Sequence, residues 1–236
     1  MIEMAKLREE LAKAKSDLDE FIYLASHDLK APLNAIDNLA NWLVEYIGPE
    51  VNEESLNHLA MIKSRAKRAK LLISDLLLFL RIGSDVEKYE LIDINHAATH
   101  CVDQTNANQF QLNIDGCDLT LPKRSFNSVL LQLISNAVKH HTTNSGKIGV
   151  KCRKLAQAYQ IEVSDDGPGI NPRDHEKVFK KFQTLKSRDE VEGSGMGLAL
   201  VEKTLSLYAA KINLISDGES GSTFFVEWPF NPKIMD

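Results

Sequence analysis

The chain lacks a long apolar run, has little cysteine and carries no basic excess, and each absence removes a class of protein. Its longest apolar candidate, LLLFL at 76–80, falls far short of the roughly 18–20 residues that a membrane-crossing helix needs. No signal-peptide pattern opens it, so a cytoplasmic location is expected. The three cysteines, Cys101, Cys117 and Cys152, are odd in number and form no CxxC pair. That is the pattern of buried reduced thiols rather than of a disulfide framework or a zinc site. A formal charge of −5 gives no general grip on nucleic acid or anionic lipid, and no nucleic-acid partner is expected. What remains is a 236-residue chain, 43% hydrophobic, with enough apolar mass for one large domain or two ordinary ones.

Two periods divide it. From Met4 the apolar positions Leu7, Leu11, Ala14, Leu18 and Phe21 alternate three- and four-residue spacings between charged residues, the heptad signature of a coiled coil. Ile22, Ala25, Leu29, Ile36, Leu39 and Leu43 continue the rhythm in a shifted frame, which implies a stutter near Leu18 to Ile22. After GPEVNEES at 48–55, where Gly48 and Pro49 end the helix, the pattern returns at Leu59, Ile62, Ala66, Ala69, Ile73, Leu76 and Leu80. Two such helices form a hairpin, and a hairpin with one apolar stripe pairs with a second copy into a four-helix bundle.

The first of these helices contains FIYLASHDLKAPLNAI at 21–36. Proline inside a helix costs about 3 kcal/mol, so Pro32 is expected to serve something other than helix stability: a bend one turn past His27, allowing the helix to alternate between shapes. His27 is two residues from both Ala25 and Leu29, about 200° around the helix from each. It is predicted to point away from the seam, towards solvent.

Beyond Gly83 the period shortens. KYELIDI (88–94), FQLNI (110–114), KIGVKC (147–152), YQIEVSD (159–165), KINLIS and STFFVEWP read as strands. INHAATHCVDQ, RSFNSVLLQLISNAVKHH and GLALVEKTLSLYA read as helices. This order predicts an α/β sandwich, a sheet with helices on one face, and a domain boundary within 82–87.

Three stretches of this half could meet a nucleotide. DDGPGI at 165–170 follows a strand; its glycines permit close backbone approach, and Asp165 could accept from an exocyclic amine. A simple turn is the alternative. GSGMGLAL at 193–200 is a glycine-rich loop entering a helix, where free N–H groups favour phosphate. On ISNAVKHH, Asn136 and Lys139 share a face, an oxygen ligand for Mg²⁺ beside a cation for phosphate, or else an ordinary polar face.

In order and spacing, HDLKAPL, LISNAVKHH, SDDGPGI, VFKKFQTL, EGSGMGLAL and GSTFFVEWP resemble the H, N, G1, F, G2 and G3 boxes of a sensor histidine kinase. The resemblance covers nearly the whole chain, and FQTLKSRDEVEGSGMGLAL is most similar to the phytochrome-type branch, which is not restricted to light sensors. It implies an α + α/β architecture: a coiled-coil signal helix at 1–20, a dimerisation and phosphotransfer hairpin at 21–83 forming a dimeric four-helix bundle, and a GHKL α/β sandwich at 84–236 that binds ATP. By the same resemblance His27 would be the phosphoacceptor and Asp28 its orienting neighbour. Asn136, with Gln132, would hold Mg²⁺; Lys139 would contact phosphate and Asp165 the adenine amine. Gly167 and Gly169 would let the backbone approach the nucleotide. Phe179 and Phe182 would pack beneath a mobile lid carrying Arg188, and Gly193, Gly195, Gly197 and Leu198 would flank the phosphates. Thr223 would be a more distant adenine-side contact.

Three positions depart from that pattern. Ala31 stands where many relatives carry Thr or Asn to position a hydrolytic water, so weak phosphatase activity is expected. Gln132 replaces the first N-box asparagine, and His140 stands where an aromatic often covers the nucleotide. The implied activity is ATP-dependent autophosphorylation followed by transfer to the receiver-domain aspartate of a response regulator. The implied partners are a second copy of the chain, that receiver and an upstream sensor module outside this chain. The alternatives are a GHKL ATPase of the chaperone or DNA-repair kind, which ordinarily uses a carboxylate on the N-box helix where 124–141 has none, and a nucleotide-binding pseudokinase scaffold.

Overall fold

The alternating three- and four-residue spacing is realised as two long helices, α1 (Ile2–Ile47) and α2 (Glu53–Arg81). The computed structural model describes residues 2–47, 52–84, 87–105, 107–185 and 193–230. Within α1 the side chains of Leu11, Leu18, Phe21 and His27 lie outside the described residues, as do Gly48, Pro49 and the rest of the turn at 48–51. α1 continues through Pro32, which is exposed; there water can replace the amide donor that the ring lacks. α2 starts from Asn52, whose side chain accepts the Ser55 N–H at 2.8 Å, with Glu53 and Glu54 in the first turn complementing the helix dipole.

The hairpin closes on small residues. Ala40 and Ala66 are buried together with Leu59, and the short side chains allow the helices to approach closely. Asp37 and Lys70 join across the seam at 2.8 Å, and the Arg81 guanidinium lies 5.6 Å from the centre of the Tyr23 ring. Much of the periodic apolar stripe stays uncovered: Leu29 is 54% exposed, Leu39 53% and Ile62 45%.

The chain divides after Arg81 into two compact units. In the second, β1 (Tyr89–Ile92) pairs antiparallel with β3 (Leu119–Pro122), and β2 (Phe110–Asp115), β4 (Gly146–Lys154), β5 (Ala158–Asp165), β6 (Lys211–Ile215) and β7 (Ser222–Pro229) make a five-stranded sheet. Its order is β2-β4-β5-β7-β6, antiparallel except for β2 beside β4. Helices α3 (Ile94–Gln104), α4 (Lys123–His140) and α5 (Gly197–Leu207) pack on one face.

Strand alternation explains the layering. Ile148, Val150 and Cys152 of β4, Ile161 and Val163 of β5, and Phe224, Val226 and Trp228 of β7 are buried, while Lys151, Glu162 and Glu227 occupy the other face. Two local expectations need correction. The strand expected at 88–94 stops at Ile92, because the Asp93 carboxylate accepts the N–H groups of Asn95 and His96 at 2.8 and 3.3 Å and starts α3. β3 is an unanticipated strand; four residues long and ended by Pro122, it is too short to show a period of its own.

The largest fully buried side chain is Trp228. Its ring lies 5.2 Å from that of Tyr208 and 6.2 Å from that of Phe126, joining β7 to α4 and the end of α5. Its Nε1 has no hydrogen-bond partner, so the residue contributes through packing alone. Trp228→Ala is expected to lower unfolding free energy by about 3–5 kcal/mol in urea denaturation. Trp228→Phe should cost less, because it keeps a ring and removes an N–H that had already lost its water.

Candidate functional site

Helix α4 presents Gln132, Asn136 and Lys139 at four- and three-residue spacing, so the two amides and the ammonium share one face. Gln132 and Asn136 are half-buried and Lys139 is exposed. The start of α5 lies against this face: a methyl at Gly197 would come within 2.9 Å of Gln132 Oε1. Preceding α5, Ser194 Oγ accepts the Met196 N–H at 3.0 Å, and Gly195 has a φ of +72°. A side chain at Gly195 would meet Gln183 O at 2.8 Å and Phe182 C at 2.9 Å, so only glycine lets the loop lie on that backbone. Phe182 itself has a φ of +62° and is exposed.

Asp165 ends β5 on the helix-covered face of the sheet, opposite Ser222 of β7. Its Oδ1 accepts the Gly167 N–H at 2.9 Å. Burial pushes its carboxyl above the usual value of 3.8, against the opposing pull of the Gly167 N–H, nearby His141 and the Ser222 N–H. The chain returns past it through Gly221, at a φ of +87°, where any side chain would collide with the Asp165 carbonyl.

Ser216 fastens the adjoining turn. It accepts the Ile170 N–H at 2.7 Å and donates to the Gly221 carbonyl at 2.6 Å, while Ser222 Oγ donates to Ser216 Oγ at 3.4 Å. Gly169, at a φ of +75°, fits into this knot.

A second clasp joins the end of α4 to the same turn. His141 Nε2 lies 3.1 Å from Asp166 Oδ1, and the Thr143 N–H donates to Nδ1 at 3.2 Å, a pair of contacts that the Nε2–H tautomer satisfies. Asp166 also accepts the Lys147 N–H at 2.6 Å. Burial would raise the Asp166 carboxyl, but these hydrogen bonds outweigh it and hold it below the ordinary value.

Of the residues expected from the sequence, the fold brings Gln132, Asn136, Asp165, Gly167, Gly169, Gly195, Gly197 and Leu198 to the elements just described. A side chain at Gly193 would meet nothing within 4 Å among the described residues, and Leu198 is buried. Phe179 packs edge-on against Phe224 at 6.5 Å, and His140 is half-buried in the last turn of α4. Asp28 is an exposed residue of α1; Arg188, within 186–192, lies outside the described residues. Thr223 pairs with Ser164 and faces the other side of the sheet from Asp165. The position directly beside Asp165 is Ser222. Ser222, His141, Asp166 and Ser216 are absent from the sequence-based set. The period-two pattern of STFFVEWP could have located Ser222, and the doubled histidine of KHH marks His141, whereas nothing local marks Ser216.

Comparison with known proteins gives this arrangement a class. Residues 123–232 match the histidine kinase-, DNA gyrase B- and HSP90-like ATPase family, and residues 17–85 match the His Kinase A phospho-acceptor domain. A unit of the ATPase class is thus joined to a phosphoacceptor hairpin. Among curated proteins the chain is 29% identical over 236 residues to phytochrome-like protein Cph1 of Synechocystis sp., covering 96% of this chain and 31% of Cph1. It is 30% identical over 218 residues to the signal transduction histidine-protein kinase ArlS of Staphylococcus aureus, covering 87% of this chain and 47% of ArlS.

Solved structures share the fold. Full-length ShkA in complex with AMPPNP superposes with a TM-score of 0.66 at 19% identity, over 91% of this chain and 46% of that one. The Acinetobacter baumannii histidine kinase AdeS gives 0.59 at 20% identity, over 87% and 98%. The chain belongs to the sensor histidine kinases, with phytochrome-type proteins among its relatives.

The half-buried Asp165 makes one stability effect predictable. The folded protein holds its proton more tightly than the unfolded chain does, so ionisation costs stability: not at all below the unfolded value, and in full above the raised folded one. Asp165→Asn, which keeps an acceptor for the Gly167 N–H, should therefore raise the melting temperature of the nucleotide-free protein at pH 7. Thermal melts across pH should show the gain vanishing below about pH 4, the ordinary carboxylate range.

Proposed function

We propose that the chain is the cytoplasmic kinase portion of a two-component sensor, which transfers the γ-phosphoryl group of ATP to His27 and then to a receiver-domain aspartate. One observation carries this reading: Asp165, its Oδ1 already occupied by the Gly167 N–H, shares the helix-covered side of one sheet with α4, whose Gln132 amide meets the glycine start of α5. A carboxylate with an oxygen left for an exocyclic amine, together with a helix N-terminus and a phosphate-facing lysine, is what adenine and a triphosphate require.

In this reading Asp165 accepts the adenine amine, buried Ser222 stands beside it, and Thr223 is a more distant adenine-side contact. Gly167 and Gly169 admit the base. Gly193, Gly195, Gly197 and Leu198, with Lys139, line the phosphates; Phe179 and Phe182 support the lid, with His140 and Arg188 as further nucleotide contacts. Asn136 and Gln132 fit Mg²⁺ by their donor chemistry, since a hard cation takes neutral oxygens and completes its shell from substrate phosphates. Among the described residues no three His, Cys, Asp or Glu side chains converge as a metal cage. When bound, the ion would neutralise phosphate charge. A neutral imidazole at His27 is nucleophilic near pH 7, so Asp28 needs only to orient it.

The exposed apolar stripe of the hairpin supports a homodimer. Cytoplasmic placement agrees with use of ATP and a receiver; no described helix is long and apolar enough to cross a membrane. Domain limits of 1–20, 21–83 and 84–236 are retained for the signal helix, hairpin and ATP unit, although α1 runs without a break across residue 20.

With Mg-ATP the protein should acquire an acid-labile, alkali-stable phosphoryl label that disappears in His27→Gln. Unlabelled protein that still binds ATP would instead indicate a nucleotide-binding scaffold or a GHKL ATPase. Asp165→Asn should lose ATP binding, measured by nucleotide titration, despite its higher melting temperature. Ala31 is exposed and brings no polar atom to its turn of α1, so phosphatase activity should be weak, and Ala31→Thr should raise the rate at which a phosphorylated receiver is hydrolysed.

A further inference from the structure

Cys117 and Cys152 are 35 positions apart in sequence, yet their Sγ atoms lie 3.6 Å from one another. Cys117 belongs to the short connection between β2 and β3; Cys152 is on β4, paired with Ile161 of β5. The connection is pressed onto the strand. A methyl at Gly116 would come within 3.0 Å of Cys152 Cβ, 3.4 Å of its backbone nitrogen and 2.9 Å of Ile94 Cγ2, so the backbone before Cys117 lies too close to β4 for a side chain to fit between them. Nothing in nucleotide binding or phosphotransfer uses these thiols.

We propose that Cys117 and Cys152 form a reversible redox-modification site, a dithiol that peroxides convert into an intramolecular disulfide. Cys117 is half-buried and reachable from solvent, whereas Cys152 is buried. Burial, with the hydrogen bond to Cys117, pushes the Cys152 thiol up to about 12, which makes it a poor first nucleophile. Oxidation therefore begins at Cys117. Its thiolate attacks one peroxide oxygen, the O–O bond breaks, and after protonation the products are a sulfenic acid and one water. The Cys152 sulfur then gives up its proton and attacks the Cys117 sulfur, expelling the sulfenic hydroxyl as a second water. Overall, two thiols and one hydrogen peroxide give one disulfide and two waters. Proximity offsets the weak acidity of Cys152, and the sulfurs need close only from 3.6 Å to about 2.05 Å.

The loop so closed contains β3 and the whole of α4, hence Gln132, Asn136 and Lys139. Cys101, buried in α3, has its thiol pushed up to about 11 by burial and serves as an internal control.

The test compares dithiothreitol-reduced protein with protein treated with hydrogen peroxide and then freed of it. Thiols titrated in guanidinium should fall from three to one, and peptide mapping should find Cys117 joined to Cys152 with the loss of two hydrogens. The melting temperature should rise by about 5–10 °C, as expected for closing a loop of this length, and dithiothreitol should reverse each change. Cys101→Ser should oxidise like the parent, whereas Cys117→Ser and Cys152→Ser should form no internal disulfide. Three surviving thiols, a bridge to Cys101, or disulfide-linked dimers on a non-reducing gel in place of the internal bond would overturn the proposal.

Discussion

Drawing one carboxylate partly out of water is the constraint around which the second unit is arranged. Asp165 could lie in a looser, wetter turn at lower cost, yet it ends a central strand on the side covered by helices. Keeping it there requires the Gly167 N–H on one oxygen, a glycine at 221 because the returning strand passes against the Asp165 carbonyl, and the Ser216 knot that fixes that return. A site that spends stability on a polar group is a common mark of binding function, because a preorganised acceptor is useful only where water has been excluded.

The clasp between His141 and Asp166 has a different purpose. The proposed nucleotide site needs α4 and the end of β5 held at a fixed separation, since one carries the amides and the other the Asp165 carboxylate. The sheet does not provide this unaided: α4 reaches β4 through a short loop beyond its last turn. His141, hydrogen-bonded to Asp166 and edge-on to Phe110 at 5.3 Å, joins helix end, turn and sheet in one contact. It follows the motif directly in sequence and, in the proposed site, holds these elements in place.

The helical hairpin follows a simpler rule. Among the described residues its buried side chains are two alanines, Ala40 and Ala66, and Leu59, while other large apolar side chains of the same helices, Leu29, Leu39 and Ile62, remain exposed. An isolated hairpin of this composition leaves part of its hydrophobic stabilisation unused, and a second copy can supply it.

How far the sequence alone reached follows from the range of each interaction. Its periodicities located α3 and β7 and placed the two long helices, because burial on one face repeats every 3.6 or 2 residues whatever lies opposite. The glycine-rich boxes and the amides of α4 were legible for a similar reason: their chemistry is carried by neighbouring residues. β3 was hidden by its shortness, and the end of β1 by Asp93 acting as a helix cap. That Ser222 lies directly beside Asp165 depended on strand register, and the parts played by Ser216 and His141 on partners 46 and 25 positions away. The closeness of Cys117 to Cys152 likewise arises only when β4 passes beneath the β2–β3 connection. Sequence determined the elements and the chemical groups they carry, since those follow from local sterics and hydrophobic period. Tertiary structure decided which groups meet and which carboxylate is drawn partly out of water, because those outcomes depend on contacts between segments that local pattern does not encode.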